Sequence, residues 1–140
     1  LARAVRIDKV TLSAMSSTLV AYLTGTHEKE IPIWNMISLS ESILANRAEK
    51  WQSKTGAGTV EQARSTIGGG SLPGQTLPTY VLVIDYKGSA QNFVRCLRES
   101  PVAVVARIEN NRIILDPRTV LPDQDDAVIE TIKFALDKCY

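Results

Sequence analysis

The chain has 140 residues, 44% of them apolar, and sets 16 basic against 15 acidic side chains for a formal net charge of +1. That is one domain's worth of chain with enough apolar content for a core. The near-neutral balance excludes the strong field that draws a protein to nucleic acid or a membrane, though not a local basic patch. No apolar run approaches the ~20 residues of a membrane span, and no signal peptide is visible. The chain starts at Leu1 and reads at once as mid-protein sequence, so a piece of something larger is expected. Cys96 and Cys139 have no metal-type spacing and are expected as free thiols in a reducing cytoplasm.

Leu1 to Lys9 is basic, with Arg3 and Arg6 at i, i+3 spacing. If this piece is helical, both guanidiniums share a face and could grip one anion; otherwise they are a solvated entry to the next helix. Asp8 suits the N-cap of a helix over Lys9 to Leu23, whose apolar face would be Val10, Leu12, Met15, Leu19, Val20 and Leu23, ended by Gly25. His27, the only histidine, falls in the polar stretch THEKE and reads as an exposed loop residue without metal partners. Pro32 opens a short helical turn through Met36, with Trp34 packed against a neighbour. Ser40 caps a second long helix to about Lys54, striped by Ile43, Leu44, Ala48 and Trp51 and closed by Gly56 and Gly58.

Thr59 to Thr66 alternates weakly and predicts a strand. Next comes the run Ile67-Gly68-Gly69-Gly70-Ser71-Leu72-Pro73-Gly74. Three consecutive glycines cannot serve a core; they open backbone angles closed to other residues and let a backbone or ligand come close. Backbone N–H groups of Gly68, Gly69 and Gly70 with the Ser71 hydroxyl could cradle an anion. Equally, the run could be a connecting loop, since it matches neither standard phosphate motif. Thr79 to Tyr86, nearly all apolar, predicts a strand buried on both faces. Ser89 caps a helix Ala90 to Glu99 that turns Phe93, Val94 and Leu97 inward. Val102 to Glu109 predicts a strand, Asn110-Asn111 a two-residue turn and Arg112 to Asp116 the return strand. Arg107 interrupts an apolar strand, so it needs a partner, a site or an edge position. Pro122 opens a last helix to about Lys138; Asp123, Asp125 and Asp126 sit in its first turn, where capping accounts for them, and Val128, Ile132 and Leu136 face inward.

This order predicts a two-layer α+β domain: a mainly antiparallel four-stranded sheet with helices mostly on one face. No nucleophile stands with a base. The residues taken alone describe a domain that could bind an anion.

Four blocks taken together go further. LARAVRIDK, IPIWNMISLS, IGGGSLPGQTLPT and VVARIENNRIILDPRTVLPDQDD, in this order over nearly the whole chain, resemble the small C-terminal domain of the L-seryl-tRNA(Sec) selenium transferases, the bacterial selenocysteine synthases. That family consists of fold-type I pyridoxal-phosphate enzymes whose small domain is a sheet with helices. The resemblance implies that residues 1–140 are the single C-terminal domain of a larger cytoplasmic enzyme, itself a homo-oligomer, which converts seryl-tRNA(Sec) to selenocysteinyl-tRNA(Sec) with selenophosphate. It implies that the Schiff-base lysine, the large cofactor domain and an N-terminal tRNA-binding domain lie upstream. The chain alone would then be inactive and hold no pyridoxal phosphate. It also implies anion contact for Arg3 and Arg6, and draws Gly68, Gly69, Gly70, Ser71 and Arg107 towards a site. Thr66 departs from the Gln that the family often carries before IGGG, which puts a side-chain role there in doubt. Two other readings stay open: the small domain of a related lyase or transferase acting on a free amino or sugar acid, and a free-standing binding or assembly module.

Overall fold

The computed structural model describes residues 5–68 and 74–139, in two compact units, Leu1–Ser38 and Leu39–Tyr140. The first unit holds three helices, α1 (Lys9–Leu23), α2 (His27–Glu30) and α3 (Pro32–Ser38). Asp8 caps α1 as expected: one carboxylate oxygen accepts the N–H groups of Val10 and Thr11, the other the Thr11 hydroxyl at 2.6 Å. The helix is not amphipathic in use, however. Only Ala21 is buried, while Val10 is 79% and Leu23 86% exposed. The predicted apolar face thus exists as sequence but is solvent-facing in the chain as it stands.

The stretch THEKE is no loop, which corrects the expectation for His27. It forms α2, and the imidazole is half-buried, stacked on Tyr22 at 5.2 Å and edge-on to Trp34 at 5.7 Å. Trp34 in turn donates its indole N–H to the Tyr22 hydroxyl. Aromatic stacking therefore gives this small unit its centre.

In the second unit α4 (Glu41–Thr55) is followed by β1 (Thr59–Thr66), β2 (Thr76–Ile84), α5 (Ala90–Arg98), β3 (Arg107–Glu109), β4 (Arg112–Leu115) and α6 (Asp125–Cys139). The fold is α+β, with an antiparallel sheet in the order β1-β2-β4-β3. Trp51 of α4, Phe93 and Leu97 of α5 and Ile132 of α6 meet Leu82, Ile84, Ile113 and Leu115 in one core on one face of the sheet. On the opposite face Val81, Val83 and Ile114 form a smaller cluster with Ala63.

Two strand boundaries differ from expectation for identifiable reasons. β2 starts at Thr76, because its ladder with β1 runs on to Thr66↔Thr76. Pro78 is tolerated there because its carbonyl, and with it the N that lacks a hydrogen, points away from β1; that carbonyl accepts from Arg118 Nη2 at 2.7 Å. The third strand has only three residues. Upstream of it the backbone is bonded to helices instead of a ladder: Val104 N–H donates to Leu97 O, and Val102 O accepts the hydroxyls of Ser100 and Thr131. The turn is as expected, with φ of 51° at Asn110 and 61° at Asn111.

The cysteines are not free thiols. Cys96 on α5 and Cys139 at the end of α6 form a disulfide that spans 43 positions. The linear distance conceals that α5 and α6 lie side by side in the core.

Candidate functional site

The glycine run connects β1 to β2, and the chain on either side of it is firmly tied. β4 ends at Leu115, which delivers Asp116 to the hairpin's flank. One Asp116 carboxylate oxygen accepts the Ser65 hydroxyl of β1 at 2.6 Å; the other accepts the Thr79 hydroxyl of β2 and the Arg118 N–H, both at 3.0 Å. Arg118 follows in a 3-10 turn, Pro117–Thr119, which brings its side chain back under the sheet. It is buried, and donates to the carbonyls of Pro78 and Leu39. Burial pulls its pKa down from the ordinary arginine value, against the neighbouring carboxylates of Asp116 and Glu41, which pull it up. A guanidinium starts so high that it keeps its charge. At the loop's edge Arg64 donates to the carbonyl of Thr76 at 3.0 Å across the hairpin. Both strands at the root of the glycine run are thus cross-linked by charged groups.

Beside this root lies a cleft of about 240 Å³, lined by Ser65, Thr66, Val105, Arg107, Ile114, Asp116 and Thr119. It joins two of the sequence candidates: Arg107, and the stem that runs through Thr66 into Gly68. Arg107 is exposed on the edge strand with Glu109 at 3.5 Å, which is the edge position that the sequence left open beside a partner or a site. Asp116 already accepts three hydrogen bonds, which offset its charge. The cleft thus sets the Arg107 guanidinium and the Thr66 hydroxyl beside Asp116, while the Thr119 hydroxyl donates to the Asp116 carbonyl at 2.9 Å.

Among the described residues no atom lies within 4 Å of where a Gly68 Cβ would stand, and the φ of Gly68 is not in the left-handed region. The turn itself does not require this glycine. Gly74, at φ +79°, does require one at the other end of the run. Gly69, Gly70 and Ser71 lie outside the described residues, as does Arg3. Arg6 is exposed and precedes the first helical residue, Lys9, so the helical spacing that would set Arg3 and Arg6 on one face does not extend to it.

Two site-shaping features escaped the sequence reading. The Asp116 hub was hidden because Asp116 read only as the last residue of the return strand, Arg112 to Asp116. The Arg47–Asp125 pair was hidden because its halves lie in separate helices. Nη2 of Arg47 meets Asp125 Oδ1 at 2.6 Å, and Nη1 and Nη2 also donate to the carbonyls of Pro117 and Val120 at 2.7 and 2.9 Å. Asp125 is therefore a buried partner and not simply a helix-start charge. The pair fixes the segment that carries Arg118. Among the described residues no group of three or more His, Cys, Asp or Glu side chains is placed to hold a metal ion. No helix among them is long and apolar enough to cross a membrane.

The sequence profile of the L-seryl-tRNA selenium transferases matches residues 1–121. Curated proteins named L-seryl-tRNA(Sec) selenium transferase are similar over most of the chain. The one from Carboxydothermus hydrogenoformans is 33% identical over 90% of it, that from Clostridium botulinum 34% over 95%, and that from Geobacter sulfurreducens 36% over 95%. The chain spans only 28%, 30% and 31% of the length of those relatives. With a profile match across the α+β sheet, the glycine run and the Asp116–Arg118 segment, this chain belongs to the L-seryl-tRNA selenium transferase family.

Proposed function

We propose that the chain is the C-terminal domain of a selenium transferase that converts seryl-tRNA(Sec) to selenocysteinyl-tRNA(Sec) in selenocysteine biosynthesis, with selenophosphate as donor. The observation that carries this is the family match over residues 1–121 together with relatives of that name at 33–36% identity. In this reading the domain contributes anion contacts, from Arg3, Arg6 and the cleft at Arg107, and the transfer chemistry is completed by parts of a longer, cytoplasmic, homo-oligomeric protein.

The family's cofactor, pyridoxal phosphate, does not fit the described residues of this chain. A Schiff-base lysine is activated by burial or a neighbouring cation, yet Lys9, Lys29, Lys50, Lys54, Lys87 and Lys138 are exposed. Lys133, half-buried, is paired with Glu130 at 3.0 Å. In this reading the cofactor's lysine belongs to residues outside this chain. The exposed apolar side chains of α1 agree with a domain that is covered when the rest of the protein is present.

The test uses a longer protein that contains this chain. It is given seryl-tRNA(Sec) and selenophosphate, and separately free serine with the same donor, and the aminoacyl product is identified by mass spectrometry. Selenocysteinyl-tRNA(Sec) as the product supports the proposal. Turnover of the free amino acid alone, with the tRNA untouched, overturns it in favour of a related lyase or transferase. Arg6→Ala should raise the selenophosphate requirement roughly ten- to hundredfold, the loss of a charge-assisted contact.

A further inference from the structure

The Cys96–Cys139 disulfide lines a cleft of about 420 Å³ together with Tyr86, Ser89, Asn92, Arg95, Glu99 and Lys138. Among the described residues two cations and one carboxylate face this space. Arg95 and Lys138 each lie 3.9 Å from Glu99, and all three side chains are more than half exposed. The two sulfurs are unequal. Cys96 belongs to the core and is 7% exposed, whereas Cys139 is half-buried in the last turn of α6. Besides the disulfide, that turn is held by the Tyr86 hydroxyl, which donates to the Cys139 carbonyl, by Lys138 over Phe134 and beside Glu99, and by Leu136 against the core.

We propose that this disulfide is an exchange site for small anionic thiols, and that its opening releases the end of α6. A thiolate entering the cleft attacks Cys139 Sγ, the accessible sulfur. The S–S electron pair leaves on Cys96 Sγ, which takes a proton from water, and Cys139 is left in a mixed disulfide. A second thiolate attacks the small-molecule sulfur of that mixed disulfide and expels Cys139 as thiolate, which is then protonated. In sum, the protein disulfide and two thiols give the protein dithiol and one small disulfide; a small disulfide such as oxidised glutathione drives the reverse. The Cys139 thiol can then donate to Asn92 O, which lies 3.8 Å from its sulfur. The surplus positive charge draws anionic thiols and repels cationic ones. At a separation of several ångströms in water this is worth about threefold in rate for each unit of thiol charge.

The test follows opening of the disulfide in the whole chain by alkylation and mass spectrometry. The probes are 3-mercaptopropionate, 2-mercaptoethanol and cysteamine, with rates corrected for thiolate fraction and divided by each thiol's rate on a small neutral disulfide, which removes the rise of nucleophilicity with thiol pKa. The expected order is anionic, neutral, cationic, spanning about tenfold at low salt and collapsing to within twofold in Arg95→Gln/Lys138→Gln, a change confined to exposed side chains. Cys96→Ser should form a mixed disulfide with oxidised glutathione several-fold faster than Cys139→Ser. Amide exchange over residues 134–139 should rise on reduction. A disulfide that resists millimolar thiol for hours, rates that follow thiolate fraction whatever the charge, or a reduced chain that oxidised glutathione cannot close would each overturn the proposal.

Discussion

Arg47 and Asp125 form a buried ion pair across 78 positions, with Nε of the guanidinium 3.1 Å and Nη2 2.6 Å from the same carboxylate oxygen. Nη1 and Nη2 also donate to backbone carbonyls of the segment that follows β4. A pair in this state stabilises little relative to an apolar substitute, but losing one half strands the other. Arg47→Met and Asp125→Asn should each cost about 3–5 kcal/mol by denaturant unfolding. The double variant Arg47→Met/Asp125→Asn should lose less than the sum of the single changes. Strict additivity would mean that the pair is not coupled.

The same pair shows what the sequence could and could not display. Helix caps are local: Asp8 and Ser40 lie beside the N–H groups they accept, so both starts were legible. The Asn110-Asn111 hairpin was legible for the same reason. Arg47 was legible in principle, since it lies in the stripe of Leu44, Ala48 and Trp51, all buried in α4. A cation inside an apolar stripe needs a partner, but nothing local says which one. Asp125 looked like a dipole-stabilising charge, and only the packing of α6 near α4 distinguishes the two roles. The third strand shrank, and the two cysteines met, for non-local reasons of the same kind. The candidate site was half legible. Arg107 and the glycine run were marked by their residue types, but Asp116, which ties their neighbours together, makes its contacts across 51 and 37 positions.

The Asp8 carboxylate offers a pH test of the helix entry next to Arg6. The Thr11 hydroxyl, then the Thr11 N–H, holds its pKa below the ordinary 3.8. The folded value is thus lower than the unfolded one. The capping contribution is complete above the ordinary carboxylate range and is lost as pH falls through the depressed value. Circular dichroism should show α1 fraying only below about pH 4, and Asp8→Asn, which caps without a charge, should remove that part of the pH dependence. An unchanged acid titration in Asp8→Asn would rule the cap out as its source.

The chain should not capture pyridoxal phosphate at one defined lysine. Its exposed lysines give the aldehyde no desolvated amine to prefer. After mixing and borohydride reduction, peptide mapping should show low, scattered labelling. One stoichiometric adduct would show that this chain holds the cofactor after all.

Two glycines separate structural need from a role towards ligand. A Cβ on Gly58 would stand 2.5 Å from Val83 O, at φ +81°, where the end of α4 is pressed onto β2. Gly58→Ala should therefore destabilise by about 1–3 kcal/mol whatever the chain binds. Gly68 is the opposite case: its Cβ would meet none of the described residues, so Gly68→Ala should leave the melting temperature within about a degree or two. Any effect of this variant must come from what approaches the loop. If the run and the cleft at Arg107 receive an anion, Gly68→Ala and Arg107→Gln should both weaken donor use in the longer protein while leaving its stability unchanged. Arg107→Lys should restore only part, because a point charge replaces a planar fork. The measurement is selenium transfer at varied selenophosphate, set beside thermal unfolding of the same samples. Normal donor dependence in both variants would leave the glycine run as a connection between β1 and β2, and Arg107 as an edge-strand partner for Glu109.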